Sequence, residues 1–92
     1  MWKIEFKPKA AKEIKKLDKN QAKQITNWLK IRLETGADPR LFAEQLTGNL
    51  KDFWRFRIGD FRVVFKPEEQ ELVILVVRVA HRREVYSSDV FH

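Results

Sequence analysis

The 92 residues carry 19 basic and 13 acidic side chains, a net charge of +6, so one small basic domain is expected. Such a balance favours an anionic partner, nucleic acid first, although on charge alone the plainer reading of a lysine-rich solubilising surface fits equally well. The absence of cysteine excludes disulfides and thiolate metal sites, and two histidines argue against zinc, so neither a metal nor another cofactor is expected.

Trp2, Ile4 and Phe6 alternate with Lys3 and Glu5, which predicts a first strand rather than a signal peptide. Pro8 suits the first turn of a helix in which Ala11, Ile14 and Leu17 recur at helical spacing. Asp18 and Gln21 have the spacing of a capping box and open a second helix with the apolar stripe Ala22, Ile25, Trp28, Leu29 and Leu33, stopped at Gly36. Residues 37–50 read as a connection, with Asp38-Pro39 and Thr47-Gly48-Asn49 as turns and a short helical turn starting at Leu41 and Phe42. No apolar run approaches the roughly 20 residues of a membrane span, so no membrane contact is expected and the location is expected to be cytoplasmic.

The segment from Trp54 to Phe65 reads as a hairpin turning at Gly59-Asp60. Trp54, Phe56 and Ile58 point one way and Arg55 and Arg57 the other; across the turn, Phe61, Val63 and Phe65 oppose Arg62 and Val64. If both apolar sets enter one core, Arg55, Arg57 and Arg62 share the opposite face. Arginine is the cation suited to bidentate contact with phosphate. Pro67 and its acidic neighbours form a turn, and Leu72 to Val79 reads as a strand buried on both faces, with Arg78 on the parity of Ile74 and Val76. The tail from His81 begins polar and ends in a possible short helix. The order is βααβββ: an α+β fold with two antiparallel helices on one face of a mostly antiparallel four-stranded sheet, and the arginines on the open face.

The order βααβββ, the segments Trp54-Arg55-Phe56-Arg57 and Phe61-Arg62-Val63-Val64-Phe65, and the tail His81-Arg82-Arg83-Glu84-Val85-Tyr86 resemble the RelE/ParE superfamily of toxins, on its RelE-like side. The resemblance covers almost the whole chain. It implies the toxin of a type II toxin–antitoxin system, a metal-independent endoribonuclease that cuts mRNA in the ribosomal A site. The same resemblance implies a small acidic antitoxin as partner, with which the chain would form an oligomer. It places catalytic roles on Arg55, Arg57, Arg62, Arg82 and Tyr86. Arg78, Arg83 and Lys51 are expected to extend the RNA-binding surface, Arg78 having a second reading as the partner of an acid elsewhere in the sheet.

RNA brings its own nucleophile, the 2′-hydroxyl. Guanidiniums supply charge stabilisation where the phosphorane develops, and fixed geometry supplies in-line alignment. Arginine does not give up its proton near neutrality, so proton transfer needs another group. Histidine is the side-chain type suited to proton transfer near neutrality, so His81 is the first candidate as general base or acid and Glu84 the second. Two other functions fit the same residues: a ParE-like inhibitor of DNA gyrase without nuclease activity, and a non-catalytic RNA-binding module.

Overall fold

The structure, a computed structural model, describes residues 1–83. Tyr86, Glu84 and the possible C-terminal helix lie outside the described residues. Strand β1 (Lys3–Phe6) leads into helices α1 (Pro8–Lys15) and α2 (Lys19–Leu33), followed by β2 (Ala43–Gln45), β3 (Trp54–Ile58), β4 (Phe61–Glu68) and β5 (Val73–His81). The sheet runs β1-β5-β4-β3-β2, with β1 parallel to β5 and every other pair antiparallel.

Local chemistry explains the helical layer. Pro8 occupies the first turn of α1, where its missing N–H costs no hydrogen bond. The Asp18 carboxylate accepts from the Gln21 N–H at 2.8 Å and caps α2. Ala10 of α1 and Ile25, Leu29 and Leu33 of α2 are buried against Phe56, Ile58, Phe61, Val63, Phe65, Ile74, Val76 and Val79 of the sheet. Phe56 stacks on Phe65 at a centroid distance of 4.2 Å, and Trp28 tilts onto Phe56 at 5.1 Å. Trp2, Trp28 and Trp54 all pack against this core, as their positions on apolar stripes imply.

Three features depart from the expected pattern. The sheet has five strands rather than four, because Ala43–Gln45 pairs antiparallel with β3 as an edge strand. Three residues are too few to show period-two alternation, so only the partner defines them. The face away from the helices is also not fully open: Val64 and Ala80 are buried there beneath Leu46, Phe53 and Val77, the first two contributed by the β2–β3 connection. Finally, the β4–β5 register slips between Val64 and Phe65. Val76 sits opposite Phe65 but Arg78 opposite Val64, so Val77 is an extra residue. Such a bulge shifts the facing of everything beyond it.

The bulge takes Arg78 off the parity of Ile74 and Val76. Its Nε donates to Oε2 of Glu13 at 2.8 Å, an ion pair in which the Arg78 side chain is 10% exposed. Pairing of β1 with β5 ends at Val76, and beyond it Oε1 of Glu13 accepts from the Val79 N–H at 2.9 Å. One carboxylate from α1 thus closes the edge of β5 and holds a largely buried guanidinium. Removing one member of such a pair costs the desolvated partner a charged hydrogen bond. Glu13→Ala is expected to lower unfolding free energy by about 2 kcal/mol in urea denaturation, the scale of hydrogen bonds to charged groups. An effect below about 0.5 kcal/mol would show that the pair behaves as an ordinary surface contact.

Candidate nucleic-acid interface

The site is built by the β3–β4 hairpin. Ile58 lies opposite Phe61, so Gly59 and Asp60 form a two-residue turn. Gly59 has φ +57°, a left-handed conformation that glycine adopts without strain at the first central position of a type II′ turn. With this loop length the register has one solution: Arg57 directly opposite Arg62, and Arg55 opposite Val64. Directly opposed side chains share a face. Val64 lies in the cluster on the far side of the sheet from the helices, so Arg55, Arg57 and Arg62 lie there too.

The three arginines are held differently. The Arg57 side chain is 60% exposed. Arg55 is more enclosed, and its Nε is buried without a hydrogen-bond partner. Arg62 is only 7% exposed; its Nη1 donates to the carbonyl oxygens of Gly59 at 3.0 Å and Phe61 at 2.9 Å, which ties the guanidinium to the turn. Like charges directly opposed on a strand pair destabilise it, so the Arg57–Arg62 pairing is a cost the fold carries.

Glu44 enters this cluster from β2, a residue the sequence reading did not single out. It lies opposite Arg55 in the β2–β3 register. Its Oε2 is 3.2 Å from Nη2 of Arg55 and its Oε1 is 2.9 Å from Nε of Arg57. A carboxylate between two guanidiniums occupies donors that would otherwise face solvent or an external anion. Nothing in the sequence marks Glu44, because its facing depends on a strand visible only once paired.

The end of β5 supplies the rest. Ala80 lies opposite Arg62, on the arginine face, and His81 lies opposite Phe61, on the helix face. The His81 ring meets Phe61 edge-on at 5.8 Å, and its Nδ1 accepts from the Arg83 N–H at 3.3 Å. The structure therefore does not bring His81 to the face that carries Arg55, Arg57 and Arg62. The Arg82 N–H donates to the Asp60 carbonyl at 2.8 Å and its Nη1 is 3.8 Å from Oδ1 of Asp60, so Arg82 is moored to the same hairpin turn as Arg62. Arg83 is exposed beside it. Lys51 is exposed on the β2–β3 connection, where its carbonyl accepts from Nε2 of Gln45 at 2.7 Å. Arg78 is engaged by Glu13 at the β5 edge.

The other end of the sheet has the opposite character. A shallow groove of about 390 Å³ is lined there by Glu5, Lys7, Glu68 and Glu71 over Val73 and Leu75, a setting that repels phosphate. Among the described residues, no three His, Cys, Asp or Glu side chains are grouped to hold a metal ion, and no helix is long and apolar enough to cross a membrane. The arginine face can grip a phosphodiester and stabilise added negative charge on it.

A sheet of this order under two helices is the fold of a group of small toxins to whose solved structures the chain is similar. Residues 4–86 match the family model described as the ParE toxin of type II toxin–antitoxin systems, and the chain belongs to this family, within the RelE/ParE superfamily. It is the toxin of a type II toxin–antitoxin system. Among solved structures, the isolated RelE toxin of Escherichia coli is similar at 26% identity and a TM-score of 0.70, covering 98% of this chain and 96% of that one. The RelBE2 toxin–antitoxin complex of Mycobacterium tuberculosis is similar in fold at 18% identity and a TM-score of 0.78, covering 88% of this chain and 98% of that one. The archaeal RelE–RelB complex of Pyrococcus horikoshii is similar in fold at 20% identity and a TM-score of 0.65, over 88% and 94%. No curated protein sequence matches the chain.

The turn that organises the site is open to a direct test. A Cβ on Gly59 would come 2.7 Å from Nε2 of Gln24, in addition to the left-handed φ. Gly59→Ala is expected to cost about 1–2 kcal/mol of stability in denaturant unfolding. Pairing it with Gln24→Ala should recover only the steric part, since the backbone strain remains; full recovery would mean the turn relaxes out of the left-handed region.

Proposed function

We propose that the chain is an endoribonuclease that cuts mRNA by attack of the 2′-hydroxyl on the adjacent phosphodiester, and that it acts on mRNA in the ribosomal A site and hence in the cytoplasm. The observation that carries this reading is the register pair Arg57–Arg62 with Arg55 beside it: three guanidiniums on one sheet face, two of them directly opposed. Directly opposed like charges cost stability, and an anion bound between them offsets that cost. RNA phosphate is such an anion, and the 2′-hydroxyl provides the nucleophile. The likeness to E. coli RelE over nearly the full length of both chains supports the same reading.

In this mechanism Arg57 and Arg55 bind the scissile phosphate from the exposed side. Arg62, preorganised by the turn carbonyls, faces the charge that grows on the non-bridging oxygens. Arg82, moored at Asp60, binds the neighbouring phosphate, with Arg83 and Lys51 extending the track. Alignment of the 2′-oxygen, the phosphorus and the 5′-oxygen contributes the rest. Tyr86 would stack on a base or hold the 2′-hydroxyl. The 2′-hydroxyl proton passes to water as the 2′-oxygen bonds to phosphorus, and the departing 5′-oxygen takes a proton from water, which leaves a 2′,3′-cyclic phosphate and a free 5′-hydroxyl. The RelBE and RelE–RelB complexes support an antitoxin as partner. In this reading it is small and acidic, forms an oligomer with the chain and blocks the arginine face.

The match to a family model described as ParE toxin favours a second reading, a toxin of the same fold that inhibits gyrase and cuts nothing. Incubation with translating ribosomes separates the two. Site-specific mRNA cleavage is expected, falling about a hundredfold or more in Arg57→Ala and Arg62→Ala proteins that remain folded. Trapped gyrase–DNA breaks without mRNA cleavage would establish the second reading instead.

The place of His81 gives a further expectation. Because its ring lies on the helix side of the sheet, His81→Gln should leave the single-turnover rate within about threefold and keep any limb of the pH–rate profile near neutrality. Disappearance of that limb in the variant would restore His81 as the proton-transfer group.

A further inference from the structure

We propose that Glu44 is a built-in competitor of RNA: its carboxylate occupies Arg55 and Arg57 in the free protein, and substrate phosphate must displace it. The inference rests on the ribonuclease reading of the same face and adds the residue that sets how tightly that face binds.

The geometry is that of a bound anion. One Glu44 oxygen meets Nη2 of Arg55 at 3.2 Å and the other meets Nε of Arg57 at 2.9 Å, so a single carboxylate bridges two guanidiniums much as two non-bridging phosphate oxygens would. Nε of Arg55 is left buried and without a partner, which shows that the carboxylate does not satisfy the pair completely. A phosphodiester carries the same single negative charge on two non-bridging oxygens, so exchange at this pair alone is close to even, and further contacts of the RNA tip it. Glu44 is also well suited to leave. Its side chain is 46% exposed, and it sits on a three-residue edge strand bonded to β3 alone. Once displaced, it can swing into water without uncovering the core, since neither hydrophobic cluster includes it.

The consequence is electrostatic. With Glu44 in place the arginine face presents about one fewer positive charge to RNA. The competitor holds the two guanidiniums in an ordered, charge-balanced state, and it weakens casual binding of nucleic acid by a protein with a net charge of +6. Contacts made in the full substrate complex, including those of Arg62 and Arg82, would be needed to expel it.

The test is fluorescence anisotropy of the full chain with a short 2′-O-methyl oligoribonucleotide, which has no nucleophile and stays uncut. The wild type, Glu44→Gln and Arg57→Ala are compared across a salt series. Glutamine keeps the size of the side chain and removes its charge. Glu44→Gln is expected to bind about five- to tenfold more tightly at 0.1 M salt. Its plot of log K against log salt is expected to steepen by about 0.7, the slope for one further phosphate neutralised on a single strand. Arg57→Ala should weaken binding. If Glu44 merely props the arginines, Glu44→Gln will bind more weakly than wild type, and that result or an unchanged affinity overturns the proposal while leaving the arginine site intact. If no protein binds the oligonucleotide and Arg57→Ala equals wild type, the nucleic-acid reading of the face fails and the Glu44 proposal falls with it.

Discussion

The register of the β3–β4 hairpin is the constraint on which the rest depends. A two-residue turn at Gly59–Asp60 leaves one pairing that sends Phe56, Ile58, Phe61, Val63 and Phe65 to the helices and Arg55, Arg57 and Arg62 to the other face. A slip of one residue would exchange the two sets. The stacked Phe56–Phe65 pair and its contact with Trp28 oppose that slip on the core side. On the far side the same register opposes two arginines. Core and site are therefore one structural decision, made at a glycine.

The turn does more than set the register. Its carbonyl oxygens at Gly59 and Asp60 face outward from the hairpin end. The first, with that of Phe61, receives the guanidinium of Arg62, and the second receives the backbone N–H of Arg82. Backbone carbonyls hold a guanidinium without cancelling its charge, whereas a carboxylate cancels it. The molecule uses both devices: carbonyls for Arg62, and carboxylates for Arg78, Arg55 and Arg57. Arg62 thus keeps its full charge while largely withdrawn from water, where its field is screened least. The guanidinium tied most firmly to the turn is the least exposed of the three, and the most exposed, Arg57, borders a removable counter-ion.

Elements with a strong period were legible before any coordinates. The alternation through residues 54–65, the 3.6-residue stripe of α2 and the Asp18 cap each appear where their local chemistry requires, whereas α1 buries Ala10 rather than Ala11 and ends before Leu17. What escaped shares one cause: it depends on pairing between distant segments. Strand β2 is three residues long and exists only against β3. The bulge at Val77 is one extra residue in an apolar run, and nothing in Val76-Val77-Arg78-Val79 announces it, yet it decides that Arg78 meets Glu13. His81 continues the basic tail in sequence, but its pairing with Phe61 turns it to the helix side. Glu44 and Arg55 are eleven positions apart, and their ion pair follows from the β2–β3 ladder.

These long-range pairings also divide the sheet electrically. Carboxylates line the groove between β1, β5 and the far end of β4, while guanidiniums gather toward the hairpin turn. The division does not follow the chain, since Glu5 and Glu71 are far apart in sequence and Arg62 lies between them. A polyanion approaching this surface is repelled at one end and attracted at the other, which orients it before contact. On the proposed reading an acidic antitoxin would meet the same field and be drawn to the same end. Two anionic ligands of one face exclude each other by charge and by volume, so competition between them would need no second binding surface.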